Sequence, residues 1–301
     1  MAGEWDMREV RLAAAGEIER QKEIWKRCFG DSGPYIDDFY LNRYHPDRTM
    51  LLLQDGVIAA MLTMLPVSIT TAAGRRVDGA MLYAVATHPD YQSQGVGRQL
   101  VESAHQHLHD RGLIFSLLVP AYEELCEFYR PMGYREAFPL REVYVKRHDL
   151  FFVPAAPQST CLIKPICPAE YNRRRERLLA GHPHVSYALP DIVIQENLAR
   201  LSGHGIYAIS LHGSEGCAVV EKGFGGQLSI KELLMAEDLV PETIEHLRQL
   251  ALGQSTLVRM PAFYGEGCGG EVRPFGMIKM IAETDLDRAD LDDAFLGLAF
   301  D

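Results

Sequence analysis

The apolar positions of this chain change period repeatedly, and each change marks an element. Residues 9–12 (EVRL) read as a short first strand. From Glu17 to Phe29, the residues Ile18, Ile24, Trp25 and Phe29 share one face at helical spacing. Gly30-Asp31-Ser32-Gly33-Pro34 ends that helix, and Tyr35 to Tyr44 reads as a second one. Met50–Gln54 and Val57–Met64, split by Asp55-Gly56, predict a β-hairpin. Another strand pair flanks Ala73-Gly74-Arg75 and ends in the apolar run Ala80–Thr87. His88-Pro89-Asp90 stops that strand, and Gly95-x-Gly97 opens a helix to Asp110, with Arg111-Gly112 as its stop. Leu113–Val119 is a buried strand by its continuous apolar character. Tyr122–Arg130 is a short helix halted by Pro131 and Gly133, and Arg141–Lys146 alternates like a final strand.

Around Leu150–Ser159 (LFFVPAAPQS) the pattern gives way to a Pro/Ala-rich link. This predicts a first domain over 1–148, a linker over 149–160 and a second domain over 161–301. The second half repeats the rhythm of the first. Strands are expected at Ile206–Leu211, Cys217–Lys222 and Gly226–Leu234, a helix at Pro241–Leu252, then strands at Thr256–Met260 and Phe275–Ile281. Where a glycine loop would sit, the chain reads Met235-Ala236-Glu237-Asp238-Leu239-Val240-Pro241, and an acidic pair there repels a phosphate. The second half is therefore expected to be a diverged duplicate that kept the fold and lost the cofactor loop.

Length agrees with this division, because 301 residues at roughly 150 per domain make two domains. Against 30 Lys and Arg stand 41 Asp and Glu, a net charge of −11 that argues against nucleic-acid or anionic-membrane partners. The same charge is compatible with a cationic acceptor. Cys28, Cys126, Cys161, Cys167, Cys217 and Cys268 are far apart with no CxxC, so they read as reduced thiols and predict no metal. Met1 to Arg8 has no basic-then-apolar signal region, and the runs Leu51–Leu53 and Val57–Leu65 are too short to span a bilayer. A cytoplasmic protein is expected.

The segment carrying chemistry runs from Val85 through Thr87-His88-Pro89-Asp90-Tyr91-Gln92-Ser93-Gln94-Gly95-Val96-Gly97-Arg98 to Leu100. A strand end, a turn and a glycine pair lead straight into a helix, whose free N–H groups and dipole suit a phosphate or pyrophosphate. Glycines at 95 and 97 let the backbone approach an anion where a β-carbon would collide. A Walker loop would need Lys and Ser or Thr where Arg98-Gln99 stand. A Rossmann fingerprint would need a small residue at Leu100 and parallel strands. The third pattern, Q/R-x-x-G-x-G/A, is met by Gln92-x-x-Gly95-x-Gly97.

That pattern resembles the acetyl-CoA loop of the GCN5-related N-acetyltransferase (GNAT) superfamily. The resemblance continues in Leu117-Leu118-Val119-Pro120 and in Phe128-Tyr129-Arg130-Pro131-Met132-Gly133-Tyr134, similar to the family's FYxxxGF segment, and covers residues 9–147. The two-lobed layout is similar to the tandem acetyltransferases of the enhanced-intracellular-survival type, without the room for their third, sterol-carrier-like domain. The implied fold class is α/β (α+β), a tandem GNAT fold with a mixed, mostly antiparallel sheet flanked by helices in each lobe.

The resemblance implies acetyl-CoA as cosubstrate. Val85, Ala86 and Thr87 would pair with its pantetheine arm, N–H groups of Gln94, Gly95, Val96, Gly97 and Arg98 would hold the pyrophosphate, and Gln92 would add a side-chain contact. Tyr129, at the matching family position, is the candidate acid for the departing thiolate. For the base, Met81-Leu82-Tyr83-Ala84-Val85 offers no carboxylate. The C-terminal carboxylate at Asp301 is the candidate, carried by a tail with apolar spacing at Phe295, Leu296, Leu298 and Phe300. The expected activity is acetyl transfer to a primary amine of a small cationic or aminoglycoside-like acceptor. A non-catalytic acyl-CoA sensor and a protein-lysine or N-terminal acetyltransferase are the alternatives. The second lobe would shape the acceptor cleft or form a homo-oligomer contact.

Three other features read as structural. His105, His107 and His109 are expected on a solvated helix face rather than at a metal. Arg173-Arg174-Arg175 with Arg177 are expected on an exposed helix face, partly neutralised by Glu170 and Glu176. The run Gly265–Gly270 is expected to be a hairpin. The acidic residues Asp285, Asp287, Asp290, Asp292 and Asp293 either line an acceptor site or serve solubility.

Overall fold

A computed structural model describes residues 7–146, 161–251, 255–284 and 288–300. The expected linker at 149–160 lies outside them. The described chain divides into two compact units. The first takes the described residues of Met1–Ser68, Val77–Glu136 and Gly276–Asp285, and the second those of Ile69–Arg76, Ala137–Phe275 and Leu286–Asp301. Each half of the sequence therefore lends a segment to the other unit.

The first unit begins with β1 (Arg8–Leu12), α1 (Ile18–Phe29) and α2 (Gly33–Asn42). Gly30, left-handed at φ 72°, closes α1 by donating to the Lys26 carbonyl, and the Ser32 hydroxyl caps α2 by accepting from Tyr35 N–H. There follow β2 (Thr49–Gln54), β3 (Val57–Thr70), β4 (Arg76–Thr87), α3 (Val96–Asp110), β5 (Phe115–Leu118) and α4 (Leu125–Tyr129). The strands run in the order β1-β2-β3-β4-β5. β1, β2 and β3 pair antiparallel, and β4 and β5 pair parallel.

β2 explains why its sequence is continuously apolar rather than alternating. Met50 and Leu52 point into one core with Leu62, Leu82, Leu100, Ala104 and Leu118, whereas Leu51 and Leu53 point into another with Ile24, Trp25, Phe39 and Met61. Both faces are covered, so neither can be polar. Each such side chain contributes roughly 1.5–3 kcal/mol when fully buried.

The second unit receives most of β6 (Arg135–Val145), then β7 (Leu162–Pro165), α5 (Pro168–Leu178), β8 (His184–Ser186), α6 (Leu189–Leu201), β9 (Gly205–Leu211) and β10 (Ser214–Lys222). It continues with β11 (Leu228–Leu234), α7 (Val240–Arg248), β12 (Thr256–Pro261), β13 (Glu271–Met280) and α8 (Arg288–Asp292). The strand order is β6-β12-β11-β10-β9-β7, with β9–β10 and β10–β11 antiparallel and β11–β12 parallel. The sequence of antiparallel strands, helix and parallel strand that closes with β4, α3 and β5 thus recurs as β11, α7 and β12. Between β11 and α7 a short turn carries Glu237 and Asp238.

β13 is where the exchange shows. Its residues 276–280 belong to the first unit, where Met277, Ile278, Lys279 and Met280 pair antiparallel with Leu118, Leu117, Ser116 and Phe115 of β5. Met277 completes the core beneath α3. Conversely, Leu140–Val145 of β6 pair with Thr256–Pro261 of β12 in the second unit.

One expectation fails in the second unit. Arg175, read as exposed, is fully buried on α5 and bonds to the fully buried Glu232 of β11. Its Nη1 donates to Val185 O at 2.7 Å and its Nη2 to Leu296 O at 3.2 Å. The physical reason is a countercharge 57 positions away, which converts a surface-like basic run into a buried pair. The segment Phe295–Phe300 is buried as well, held by Tyr187 Oη donating to Leu296 O and Leu298 O. Gly297 is glycine by necessity, because a β-carbon there would overlap the Glu232 carboxylate.

Candidate active site

The site is built where β4 and β5 part. Their parallel register covers Gly79, Ala80 and Met81 against Phe115, Ser116 and Leu117, while β4 runs on to Thr87. Past that register, Ala84 adopts a left-handed φ of 50°. A non-glycine residue held there costs of order 1–2 kcal/mol, and such strain clusters at functional sites. Val85, Ala86 and Thr87 follow the kink, on the stretch of β4 with no β5 partner in that register.

The loop that follows is braced from several directions. Gln92 Nε2 donates to Thr87 O at 3.0 Å, and the half-buried Cys28 thiol donates to the same carbonyl at 3.2 Å. Burial pushes that thiol up, so Cys28 serves here as a donor rather than as a thiolate. Gln94 Nε2 donates to Asp90 O, and Arg8 Nη2 donates to Gln94 O. The Gln92 amide, expected at the pyrophosphate, fastens the strand end through Nε2. His88, buried after the strand, accepts from Asp90 N–H at Nδ1 and places Nε2 4.0 Å from Glu23 Oε1. It braces the turn too.

Ser93 and Gly95 both have positive φ, which turns the chain into α3. The first bond within the helix is Gln99 N–H to Gly95 O at 3.0 Å, so the N–H groups of Val96, Gly97 and Arg98 have no intrahelical acceptor. They are the donors a pyrophosphate requires. Arg98 turns aside to pair with Glu102 at 2.8 Å, which leaves its backbone as the relevant group. At Gly97 a β-carbon would stand 3.1 Å from Thr87 Oγ1 and 3.5 Å from Phe128 Cζ. Strand end, helix start and α4 therefore converge at that glycine, and acetyl-CoA fits the donors present.

Tyr129 is the last residue of α4 and only 6% exposed. Its ring meets Phe128 at 5.0 Å and Tyr134 at 5.6 Å between centroids, both edge to face. Burial, with a smaller contribution from Tyr122, pushes the phenol above its ordinary range, so it stays protonated at every physiological pH. His105 departs from expectation. It is buried on the core face of α3 rather than solvated, and it bonds to Tyr134. Val101, Ala104 and Leu108 share that face, a signal already present in the spacing. Asp301 lies outside the described residues, as do Asp285 and Asp287. Among the described residues no group of three His, Cys, Asp or Glu side chains could hold a metal. No described helix is long and apolar enough to cross a membrane.

Residues 9–137 match the family model described as an acetyltransferase (GNAT) domain. These residues form a GNAT domain. A GNAT domain makes the protein an acyltransferase, and its activity class is acyl-CoA-dependent N-acetyl transfer. Solved GNAT structures share its fold at low identity. A GCN5-related N-acetyltransferase from Anabaena variabilis is 16% identical, covering 92% of this chain and 73% of that one, with a TM-score of 0.70. Eis1 from Mycobacterium abscessus is 15% identical over 91% of this chain and 74% of its own, at 0.66. A tandem GNAT protein from the clavulanic acid biosynthesis pathway is 14% identical over 93% and 100%, at 0.57. Among curated protein sequences none matches.

Proposed function

We propose that this GNAT-domain protein transfers an acetyl group from acetyl-CoA to the primary amine of a small cationic acceptor, of polyamine or aminoglycoside class. The observation that carries the reading is the convergence of Thr87, Gly97 and the Phe128–Tyr129 pair where β4 leaves β5. Bound acetyl-CoA supplies the thioester that the amine attacks. The free N–H groups of Val96, Gly97 and Arg98 bind the pyrophosphate, and the backbone of Val85 and Ala86 receives the pantetheine arm. Tyr129 donates its proton to the departing sulfur and recovers one from solvent. Burial that raises the phenol also raises the proton affinity of a thiolate beside it, so the transfer stays matched. The amine, charged at neutral pH with a pKa near ~10.4, loses one proton to water before it attacks and a second as the C–S bond breaks and the amide forms. The net charge of −11 supports a cationic acceptor.

The reading is tested by thiol release from acetyl-CoA with spermidine, kanamycin and a lysine-containing peptide as acceptors. Release is expected with the first two amines and little with the peptide. Tight acetyl-CoA binding with no release from any amine would point to an acyl-CoA sensor and overturn it.

A further inference from the structure

Four side chains close a polar circuit inside the first unit. Lys279 of β13 stands opposite Ser116 of β5 in the strand register. Lys279 Nζ is 3.0 Å from His105 Nδ1, His105 Nε2 is 3.0 Å from Tyr134 Oη, and Tyr134 Oη is 2.6 Å from Ser116 Oγ. Ser116 is fully buried, and His105 and Tyr134 are nearly so.

The circuit has one sense. An ammonium only donates, so His105 Nδ1 accepts from Lys279 and the ring proton sits on Nε2. Nε2–H then donates to Tyr134 Oη, whose own hydroxyl is left to donate to Ser116 Oγ. Burial and the neighbouring Lys279 charge hold His105 neutral, pushed down to about 3, which is the form this order requires. Tyr134 in turn supports Tyr129. Their rings meet at 5.6 Å and 70°, and Tyr134 N–H points to Tyr129 O at 3.4 Å.

We propose that Lys279 is a positioning residue for Tyr129: its donation to His105 fixes the hydrogen-bond order that anchors Tyr134, and Tyr134 sets the ring and hydroxyl direction of Tyr129. The proposal rests on the reading of Tyr129 as proton donor. It assigns a role in the acetyl-transfer site to a residue delivered by β13, far along the chain from the glycine loop. A buried hydrogen-bond circuit of this kind is worth more for orientation than for stability, since each member has a single partner geometry.

The test uses the full chain with Lys279→Met, which keeps the apolar stem and removes the donor. The tyrosine ring signals of Tyr129 and Tyr134 in 13C NMR are expected to move. Thiol release with spermidine or kanamycin is expected to lose about tenfold in kcat, with KM for acetyl-CoA within about twofold. Lys279→Arg, which retains N–H donors, should restore most of both. In a Tyr129→Phe background, Lys279→Met should cost little more. Unmoved Tyr129 signals with unchanged kcat overturn the proposal, as does a loss that persists at full size in the Tyr129→Phe background. Full activity of Tyr129→Phe alone instead overturns the proton-donor reading, and the ring signals then decide the positioning claim. Should Lys279→Met fail to fold, Ser116→Ala opens the same circuit at its other end. It should shift the same two signals, and their staying fixed would count against the circuit.

Discussion

The Arg175 guanidinium and the Glu232 carboxylate meet at 3.0 Å with neither side chain reaching solvent. Glu232 also accepts from Tyr171 Oη at 2.5 Å, and Arg175 passes two further bonds to the carbonyls of Val185 and Leu296. The pair therefore fastens α5, β11 and the segment 295–300 of the second unit together. Arg175→Met would strand a buried carboxylate, with an expected loss of about 3–5 kcal/mol in urea unfolding. Adding Glu232→Gln to that variant should recover part of the loss. A single variant with the parental midpoint would show that the pair is not holding the unit.

Tyr129→Phe removes a proton donor and little volume. The expected result is a fall in kcat of about 100-fold, with KM for acetyl-CoA changed by less than about twofold. Steady-state thiol release over a range of acetyl-CoA concentrations separates the two constants. A variant with raised KM and intact kcat would make Tyr129 a packing residue.

Gln92 and Cys28 share the Thr87 carbonyl, so Gln92→Ala leaves it with one donor. One hydrogen bond is worth about 1 kcal/mol, which predicts a roughly fivefold rise in KM for acetyl-CoA at constant kcat. Loss of kcat with KM untouched would place Gln92 at the chemistry instead of at the strand end.

His105 gives the fold a pH dependence. Its folded state stays neutral down to about 3, against an ordinary value of 6.5. Between those values unfolding takes up a proton, so this group weakens the fold as pH falls below 6.5, by up to about 1.4 kcal/mol per pH unit. Above that pH its contribution is constant. His105→Gln keeps a donor and an acceptor but cannot titrate, and its thermal midpoint should fall less than the parental one between pH 7 and pH 4. Parallel midpoints in both proteins would remove His105 as the cause.

The strand that ends at Thr87, the loop through Gly95 and Gly97, and the helix after it were all legible, because glycine, proline and apolar runs act locally. Tyr129 could be singled out only because its segment resembles the family's FYxxxGF pattern. Arg175 could not be placed, since its burial depends on Glu232, which no local pattern connects to it. His105 was legible in principle. It sits four residues after Val101 and three before Leu108, on the apolar face of α3, although its polar ring favours the outside. α6 has weak amphipathic contrast, with Leu189 and Val193 exposed beside buried Ile192 and Ile194, so its sequence does not announce a helix. The pairing of β13 with β5 left no mark at all, because any apolar strand fits an apolar edge.

That last pairing bears on how the protein is made. Leu118 and Met277 lie roughly 160 positions apart, so at about 5–20 residues per second the edge of β5 waits about 8–30 s on the ribosome for its neighbour. During that interval the nascent first unit carries a bare apolar strand edge and a core without Met277. Cells producing this protein should depend on chaperones that shield such an edge, and slowing translation should lengthen the exposure rather than help the chain to fold.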